Sequence, residues 1–377
     1  MQKLKLLFVF GTRPEAIKLA PVIKAMKAHP AIECRVCVTA QHRQMLDQVL
    51  ELFDLSPDRD LDLMKEGQGL TDITVSVLEG MRSVLAQEAP HRVIVHGDTT
   101  TTMAATLAAF YERIPVAHVE AGLRTGDIYA PWPEEVNRKI TDAVADLLFA
   151  PTAGSAENLA REGVDADKIT VTGNTVIDAL FEVTKKIDAD PALQASLEAS
   201  LPVGDPASRL VLVTGHRREN FGDGFEQICR ALKKLSERPD VQVVYPVHLN
   251  PNVQEPVRRI LGEDGAAMLI PPLDYLPFVA LMRRAYLIIT DSGGVQEEAP
   301  SLGKPVLVMR DKTERPEALQ AGTVKLVGSD EETIVREAEM LLDNEQAYQE
   351  MSRAINPYGD GKASQRILER ILQVHGI

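Results

Sequence analysis

Cysteine is scarce: the 377 residues include three, too few for a disulfide framework. Cys34 and Cys37 have CxxC spacing, yet they sit in the strand-like run 32–39. Residues i and i+3 of a strand face opposite sides, so these two thiols cannot share a metal or a bridge. Cys229 stands apart, no HExxH occurs, and none of the eight histidines pairs at metal-ligand spacing on one helix. No metal site is expected. Long hydrophobic runs are missing as well; none approaches the roughly 18 residues that a membrane span needs. The stretch from Met1 to Phe10 leads directly into strand-like sequence without a small-residue cleavage site. The reading is a cytoplasmic protein with no membrane partner. Positive charge is in deficit: a net charge of −14 opposes binding to nucleic acid or anionic membrane. A small anionic ligand must then be held by a local group of cations and helix ends.

Familiar catalytic motifs are also absent. No GxGxxG follows the first strand, because Gly11-Thr12-Arg13-Pro14 has one glycine and then a proline, so a nicotinamide cofactor is not supported. No cofactor of another kind is indicated. The chain has no GxxxxGK[ST] and no GxSxG nucleophile elbow.

What remains is an ordinary globular composition, 45% hydrophobic and 25% charged, on a chain long enough for two domains. Apolar strand-like runs at 4–10, 32–39, 93–96, 115–119, 147–150 and 169–171 alternate with helical stretches at 14–29, 44–53, 70–85, 100–111 and 134–145. A polar stretch, 188–208, holds a short surface helix. The pattern then restarts with strands at 210–214, 241–247, 267–270, 287–290, 305–308 and 324–327, with helices between, and ends in an amphipathic helix at 363–374. Buried strands alternating with helices predict parallel sheets covered on both faces. The expected fold class is therefore α/β, with two doubly wound domains facing across a cleft and ligands at the carboxyl ends of the strands.

The polar clusters fall at those strand ends. Gly11 to Glu15, with Lys18 one turn on, follows the first strand; His96-Gly97-Asp98-Thr99 and His118-Val119-Glu120 follow two more. In the second half they are Gly215-His216-Arg217-Arg218 and Asp311 to Pro316. Each residue also has a plain structural reading. Arg13 would brace its loop through Glu15, Lys18 would be solvated, Asp98 would cap the helix starting near Thr100, and Glu134 would pair with Arg138. Glu120 is harder to explain that way, since a carboxylate ending an apolar strand is costly unless paired. The stretch Thr290-Asp291-Ser292-Gly293-Gly294-Val295, between a strand and a helix ending near Gly303, reads either as a tight turn capped by Ser292 or as a phosphate cradle.

Over nearly its full length the sequence resembles the non-hydrolysing UDP-N-acetylglucosamine 2-epimerases of bacteria. The stretches that carry the resemblance are Phe10-Gly11-Thr12-Arg13-Pro14-Glu15, Val95-His96-Gly97-Asp98-Thr99, His118-Val119-Glu120-Ala121-Gly122-Leu123-Arg124, Pro131-Trp132-Pro133-Glu134-Glu135, Thr172-Gly173-Asn174, Gly215-His216-Arg217-Arg218-Glu219-Asn220 and Asp291-Ser292-Gly293-Gly294-Val295-Gln296-Glu297-Glu298. Within the family it is most similar to the enterobacterial enzyme that supplies N-acetylmannosamine units for surface polysaccharide. The resemblance implies the GT-B fold, with an N-terminal Rossmann-like domain over 1–172, a UDP-binding domain over 173–360, and a final segment, 361–377, crossing back. It implies a homodimer, no cofactor, and UDP-GlcNAc and UDP-ManNAc as substrate and product. The C2 hydrogen of that sugar is not acidified by a carbonyl, and oxidation at C3 would need the missing nicotinamide site. Elimination of UDP to 2-acetamidoglucal and re-addition is the remaining route.

By the same resemblance Asp98, Glu120 and Glu134 are acid/base groups at the sugar. Arg13, Lys18 and His216 lie by the diphosphate, with His216 acting in catalysis there. Ser292, Gly293 and Gly294 hold the phosphates, Glu298 binds the ribose, Arg315 contacts the nucleotide, and Leu273 and Phe278 frame the uracil. Gln41, Gln44 and His248 belong to a possible allosteric site for a second UDP-GlcNAc. Two positions depart from close relatives: Leu273 replaces a polar residue, and Ser76 replaces an arginine, which predicts weaker activation. A retaining GT-B glycosyltransferase, a hydrolysing epimerase releasing N-acetylmannosamine and UDP, and a non-catalytic sensor would share the fold. The three carboxylates favour the epimerase, because a transferase needs no proton exchange at C2.

Overall fold

The computed structural model describes residues 3–39, 43–63, 67–201, 207–262, 265–313 and 315–377, without the side chains of 43 and 44. Gln41 and the side chain of Gln44 therefore lie outside the described residues. The chain divides into two units, one running to Ala179 and taking in Tyr358–Ile377, the other Leu180–Pro357. The sequence reading placed these divisions at 172/173 and 360/361.

The first unit is built on strands β1 (Leu4–Phe10), β2 (Ile32–Val38), β3 (Arg59–Asp60), β4 (Arg92–His96), β5 (Val116–Val119), β6 (Leu147–Ala150) and β7 (Ile169–Val171). Its helices are α1 (Arg13–Ala28), α2 (Arg43–Leu52), α3 (Leu70–Glu88), α4 (Thr100–Tyr111), α5 (Glu134–Val144) and α6 (Ala153–Arg161), with α7 (Thr175–Ala189) passing into the second unit. The second unit continues with α8 (Pro191–Ser200), β8 (Arg209–Thr214), α9 (Asp223–Ser236), β9 (Val241–Pro246), α10 (Pro251–Leu261), β10 (Met268–Ile270) and α11 (Tyr275–Arg284). Then come β11 (Leu287–Thr290), α12 (Gly293–Glu298), β12 (Val306–Val308), α13 (Pro316–Gln320), β13 (Val324–Leu326), α14 (Glu331–Asp343) and α15 (Glu345–Ser352). The last helix, α16 (Ala363–Val374), belongs to the first unit and packs on α1.

Among the described residues the first sheet has the order β3-β2-β1-β4-β5-β6-β7 and the second β10-β9-β8-β11-β12-β13. All neighbours pair in parallel. This is the doubly wound arrangement expected: apolar strands such as Leu147–Ala150, buried throughout, are the type that sits between two helical layers. Strand order reverses between β1 and β4, and again between β8 and β11. The loops that leave those four strands diverge there, opening a crevice where open α/β sheets bind ligands. They carry Gly11–Glu15, Gly97–Thr99, Gly215–Arg217 and Asp291–Gly294. Helices α6 and α7 are additions to the sequence reading, and α3 runs to Glu88 rather than 85.

Candidate active site

In the first unit, loops after three adjacent strands are tied to one another by buried polar side chains. Glu15 is the first tie. It is buried, and its Oε2 accepts from the backbone N–H groups of Gly11 and Thr12 at 3.0 and 2.8 Å. Its Oε1 accepts from the hydroxyls of Thr99 at 2.7 Å and Thr102 at 3.1 Å. Burial raises its proton affinity above that of an ordinary carboxyl, against the pull of those bonds. The expected Arg13–Glu15 brace is thus corrected: backbone and hydroxyl donors occupy Glu15, which joins the β1 loop to the start of α4.

His118 and Asp142 form the second tie. His118 is fully buried, and its ring nitrogens face Asp142 Oδ1 at 2.6 Å and the Gly97 carbonyl at 2.7 Å. Asp142 also accepts from the Gly122 N–H at 3.1 Å and pairs with Arg124 at 2.8 Å. Burial would raise the Asp142 proton affinity, but His118 and Arg124 outweigh it and hold the carboxyl below its ordinary value. The strand register Val95↔His118 and His96↔Val119 makes this tie local, joining the loops after β4 and β5.

Glu120 stands where these loops meet. It follows β5 with φ +67°, a left-handed conformation that a residue with a Cβ adopts at a cost of about 1–2 kcal/mol. Its carboxylate is largely buried, pairs with the Lys18 ammonium, and accepts from Asn174 Nδ2 at 2.9 Å. His96 Nε2 is 3.8 Å from the same oxygen. Asn174 also donates from its backbone to Tyr358 O at 2.7 Å, which links Glu120 to the chain segment leading into α16.

Asp98 does not cap α4. Thr99 is the cap, its hydroxyl accepting from Thr102 N, and Asp98 pairs with Arg138 through Nε at 3.0 Å and Nη2 at 2.6 Å. Arg138 reaches Glu135 as well, at 3.1 Å, so its partners are Asp98 and Glu135 rather than Glu134. Glu135 in turn accepts from the backbone of Thr125 and Gly126, anchoring the irregular loop. Glu134 opens α5 with a buried Oε2 that has no hydrogen-bond partner among the described residues. A buried carboxyl oxygen without a donor is costly, and a ligand hydroxyl or amide is the usual remedy.

In the second unit the switch-point loops converge on Asp291, which is fully buried. Its Oδ2 accepts from the backbone of His216 and Arg217, each at 2.8 Å. The His216 ring lies 3.7 Å from Asp291 Oδ1 and stacks on His248, centroids 5.1 Å apart. Burial lowers the His216 proton affinity, against the pull of Asp291. Ser292 precedes α12 without a side-chain cap bond, which corrects the capping alternative. The helix is short and continues into a tight turn that ends at Gly303, φ +66°. A Cβ on Gly293 would lie 2.7 Å from the Arg315 guanidinium carbon. Arg315 is fixed there by Glu297 at 2.8 Å. Glu298 accepts from the Tyr275 hydroxyl at 2.7 Å and lies beside Gly294.

The structure thus brings Lys18 and Glu120 together in one unit, and His216, Asp291, Gly293, Arg315 and Glu298 around one turn in the other. Leu273 and Phe278 are half-buried at the start of α11, and Arg13 is half-buried at the head of α1. The sequence motifs contained His96 and Asn174, Arg138 entered only as a partner for Glu134, and Asp142 lay outside them; spacing gave no sign of the contacts these four make. Those bonds join residues between 24 and 54 positions apart, and His96 comes beside Glu120, 24 positions on, through strand register.

A sequence model of the UDP-N-acetylglucosamine 2-epimerase family matches residues 24–372. The chain is 60% identical over 369 residues to the UDP-N-acetylglucosamine 2-epimerase of Escherichia coli (strain K12), covering 98% of each. It is 54% identical to that of Campylobacter jejuni, covering 98% of this chain and 97% of the relative. Among solved structures, the UDP-GlcNAc 2-epimerase of Neisseria meningitidis bound to UDP-GlcNAc superposes with a TM-score of 0.92 at 50% identity, over 98% of this chain and 100% of the other. The Methanocaldococcus jannaschii enzyme in complex with UDP-GlcNAc and UDP gives 0.81 at 34%, over 98% and 99%. The twin doubly wound sheets, the carboxylates at their strand ends and this full-length similarity agree: the chain belongs to the UDP-N-acetylglucosamine 2-epimerase family.

Proposed function

We propose that the protein interconverts UDP-GlcNAc and UDP-ManNAc by eliminating UDP and adding it back. The observation that carries the reading is Glu120. It is a buried carboxylate held in a strained backbone conformation between Lys18 and Asn174, in a chain with full-length similarity to such epimerases. In the elimination a carboxylate takes the C2 proton, the C1–O bond breaks with its electron pair leaving on the diphosphate, and C1=C2 forms. In the return, the diphosphate oxygen attacks C1 and a carboxylic acid gives a proton to the opposite face of C2. Glu120, Asp98 and Glu134 supply these groups. Arg13, Lys18 and His216 stabilise negative charge on the departing UDP. The turn 292–294 with Arg315 holds the phosphates, Glu298 the ribose, and Leu273 with Phe278 the base. Atoms balance without an oxidant, in keeping with the missing nicotinamide motif.

The protein works in the cytoplasm as a homodimer on this reading, serving surface polysaccharide synthesis; among the described residues no helix is long and apolar enough to cross a membrane. A second UDP-GlcNAc acting through Gln41, Gln44 and His248 is retained as a weak activator. Incubation with UDP-GlcNAc in D2O tests the reaction. The expected product is UDP-ManNAc carrying deuterium at C2, with Glu120→Gln slowing incorporation by at least about 100-fold while leaving UDP affinity unchanged. Free N-acetylmannosamine as the main product would point to a hydrolase, and absence of exchange to a transferase or sensor.

A further inference from the structure

His96 has no role in the reaction as set out above, yet its position is unusual. It ends β4, directly across the sheet from Val119, which places its ring beside Glu120. The residue is 3% exposed, and among the described residues neither ring nitrogen has a hydrogen-bond partner. Leaving a buried imidazole unpaired costs the desolvation of its N–H and lone pair, so proteins seldom keep one without use. Burial also pushes its pKa down to about 3, against the pull of Glu120. The ring is therefore neutral at any working pH, with one N–H to give.

An acceptor of the site, Glu120 Oε2, lies 3.8 Å from Nε2, roughly 1 Å beyond hydrogen-bond length. That oxygen is the one paired with Lys18 and reached by Asn174. Resting on the epimerase reading, Lys18 has two claimants: Glu120 in this structure, and the diphosphate when substrate binds. We propose that His96 is a positioning residue for Glu120, its Nε2–H taking over as donor to Oε2 as the diphosphate draws Lys18 away. The exchange has a chemical consequence. A carboxylate held by an ammonium is a poor base, whereas one held by a neutral donor keeps its orientation and regains basicity. The orphaned nitrogens, the register of β4 on β5, and the shared oxygen all point to this one partner.

The test compares wild type, His96→Phe and His96→Gln in D2O with UDP-GlcNAc, reading C2 deuterium incorporation, the dissociation constant of UDP and the thermal midpoint. Phe fills the space without a donor; the Gln amide restores one at similar reach. For His96→Phe, incorporation should fall about 10- to 100-fold with UDP affinity within about twofold of wild type, and His96→Gln should recover most of the loss. Wild-type exchange by a folded His96→Phe, a loss confined to UDP affinity, or a His96→Gln as slow as His96→Phe each overturns the assignment. Should His96→Phe not fold, His96→Asn, whose amide is too short to reach Oε2, takes its place with the same expectations. No exchange by the wild type overturns the epimerase reading and this inference with it, while normal wild-type exchange with an unaffected variant removes the inference alone.

Discussion

Glu120 and Gly293 show two opposite uses of a backbone position. Glu120 carries a Cβ where φ is +67°, and the strain is tolerated because the side chain must sit between Lys18 and Asn174. Gly293 lacks a Cβ because the Arg315 guanidinium fills the space: a Cβ would approach Cζ to 2.7 Å and Nη1 to 2.8 Å. Arg315 cannot swing aside freely, since Glu297, itself 2% exposed, holds its Nε. Gly293→Ala should therefore push the guanidinium off the 292–294 turn. Overpacking of this kind costs about 1–3 kcal/mol of stability, so UDP affinity should fall roughly 10-fold by isothermal titration and the thermal midpoint should drop by a few degrees. Unchanged UDP affinity would mean that Arg315 does not contact the nucleotide. Neither residue's situation was legible in the sequence. The glycine announced a turn and the carboxylate an anomaly, but Arg315 is 22 positions from Gly293, and only the fold brings the two together.

Elements were far easier to read. The strands announce themselves as apolar runs ended by glycine or a polar residue, and six predicted spans coincide with β1, α4, β6, β7, β11 and α16. The reading fails where burial is slight. Strand β3 is two exposed residues on a sheet edge, and α6 buries Ser155 and Leu159 alone, so neither has a hydrophobic period to detect. Between elements, the buried His118–Asp142–Arg124 group does the joining, holding α5 and the loop after β5 to the loop after β4. Removing one member of a buried pair costs about 3–5 kcal/mol because it strands the other. Asp142→Asn should lower the urea-unfolding free energy by that amount at pH 7. The sign with pH follows from the lowered proton affinity of Asp142 in the folded state. Its contribution is complete above the ordinary carboxyl range near ~4 and is lost as pH falls through the lower folded value. The gap between wild type and variant should shrink as pH falls below that range. A gap equal at pH 7 and in this acid range would show that charge is not what Asp142 contributes.

At the scale of the whole molecule, both units repeat one plan: strand order reverses at β1/β4 and at β8/β11, and the polar loops occupy those reversals. They differ in how the chain builds them. The second unit is one continuous segment, whereas the first needs Tyr358–Ile377 to return to it. That return is substantial. Helix α16 buries Ile367, Leu368 and Ile371, its first backbone N–H groups are capped by Asp178 at 3.2 and 2.8 Å, and Tyr358 is 1% exposed. Three such aliphatic side chains amount to about 5–9 kcal/mol of apolar burial, comparable with the entire stability of an ordinary domain. The segment Leu180–Pro357 should thus unfold cooperatively when expressed alone, while a fragment ending at Ala179 should not fold. Joining Ala179 to Tyr358 through a short flexible linker should rescue it. Asn174 donates to the Tyr358 carbonyl at 2.7 Å, and Ala179 lies about 7–8 Å further along α7, a gap that a flexible linker of about six residues, spanning roughly 13 Å, covers. Thermal unfolding followed by circular dichroism decides the matter: a cooperative transition for the joined form and none for the truncated one is expected. A truncated fragment as stable as the joined one would show that α16 is an appendage rather than part of the first unit's core.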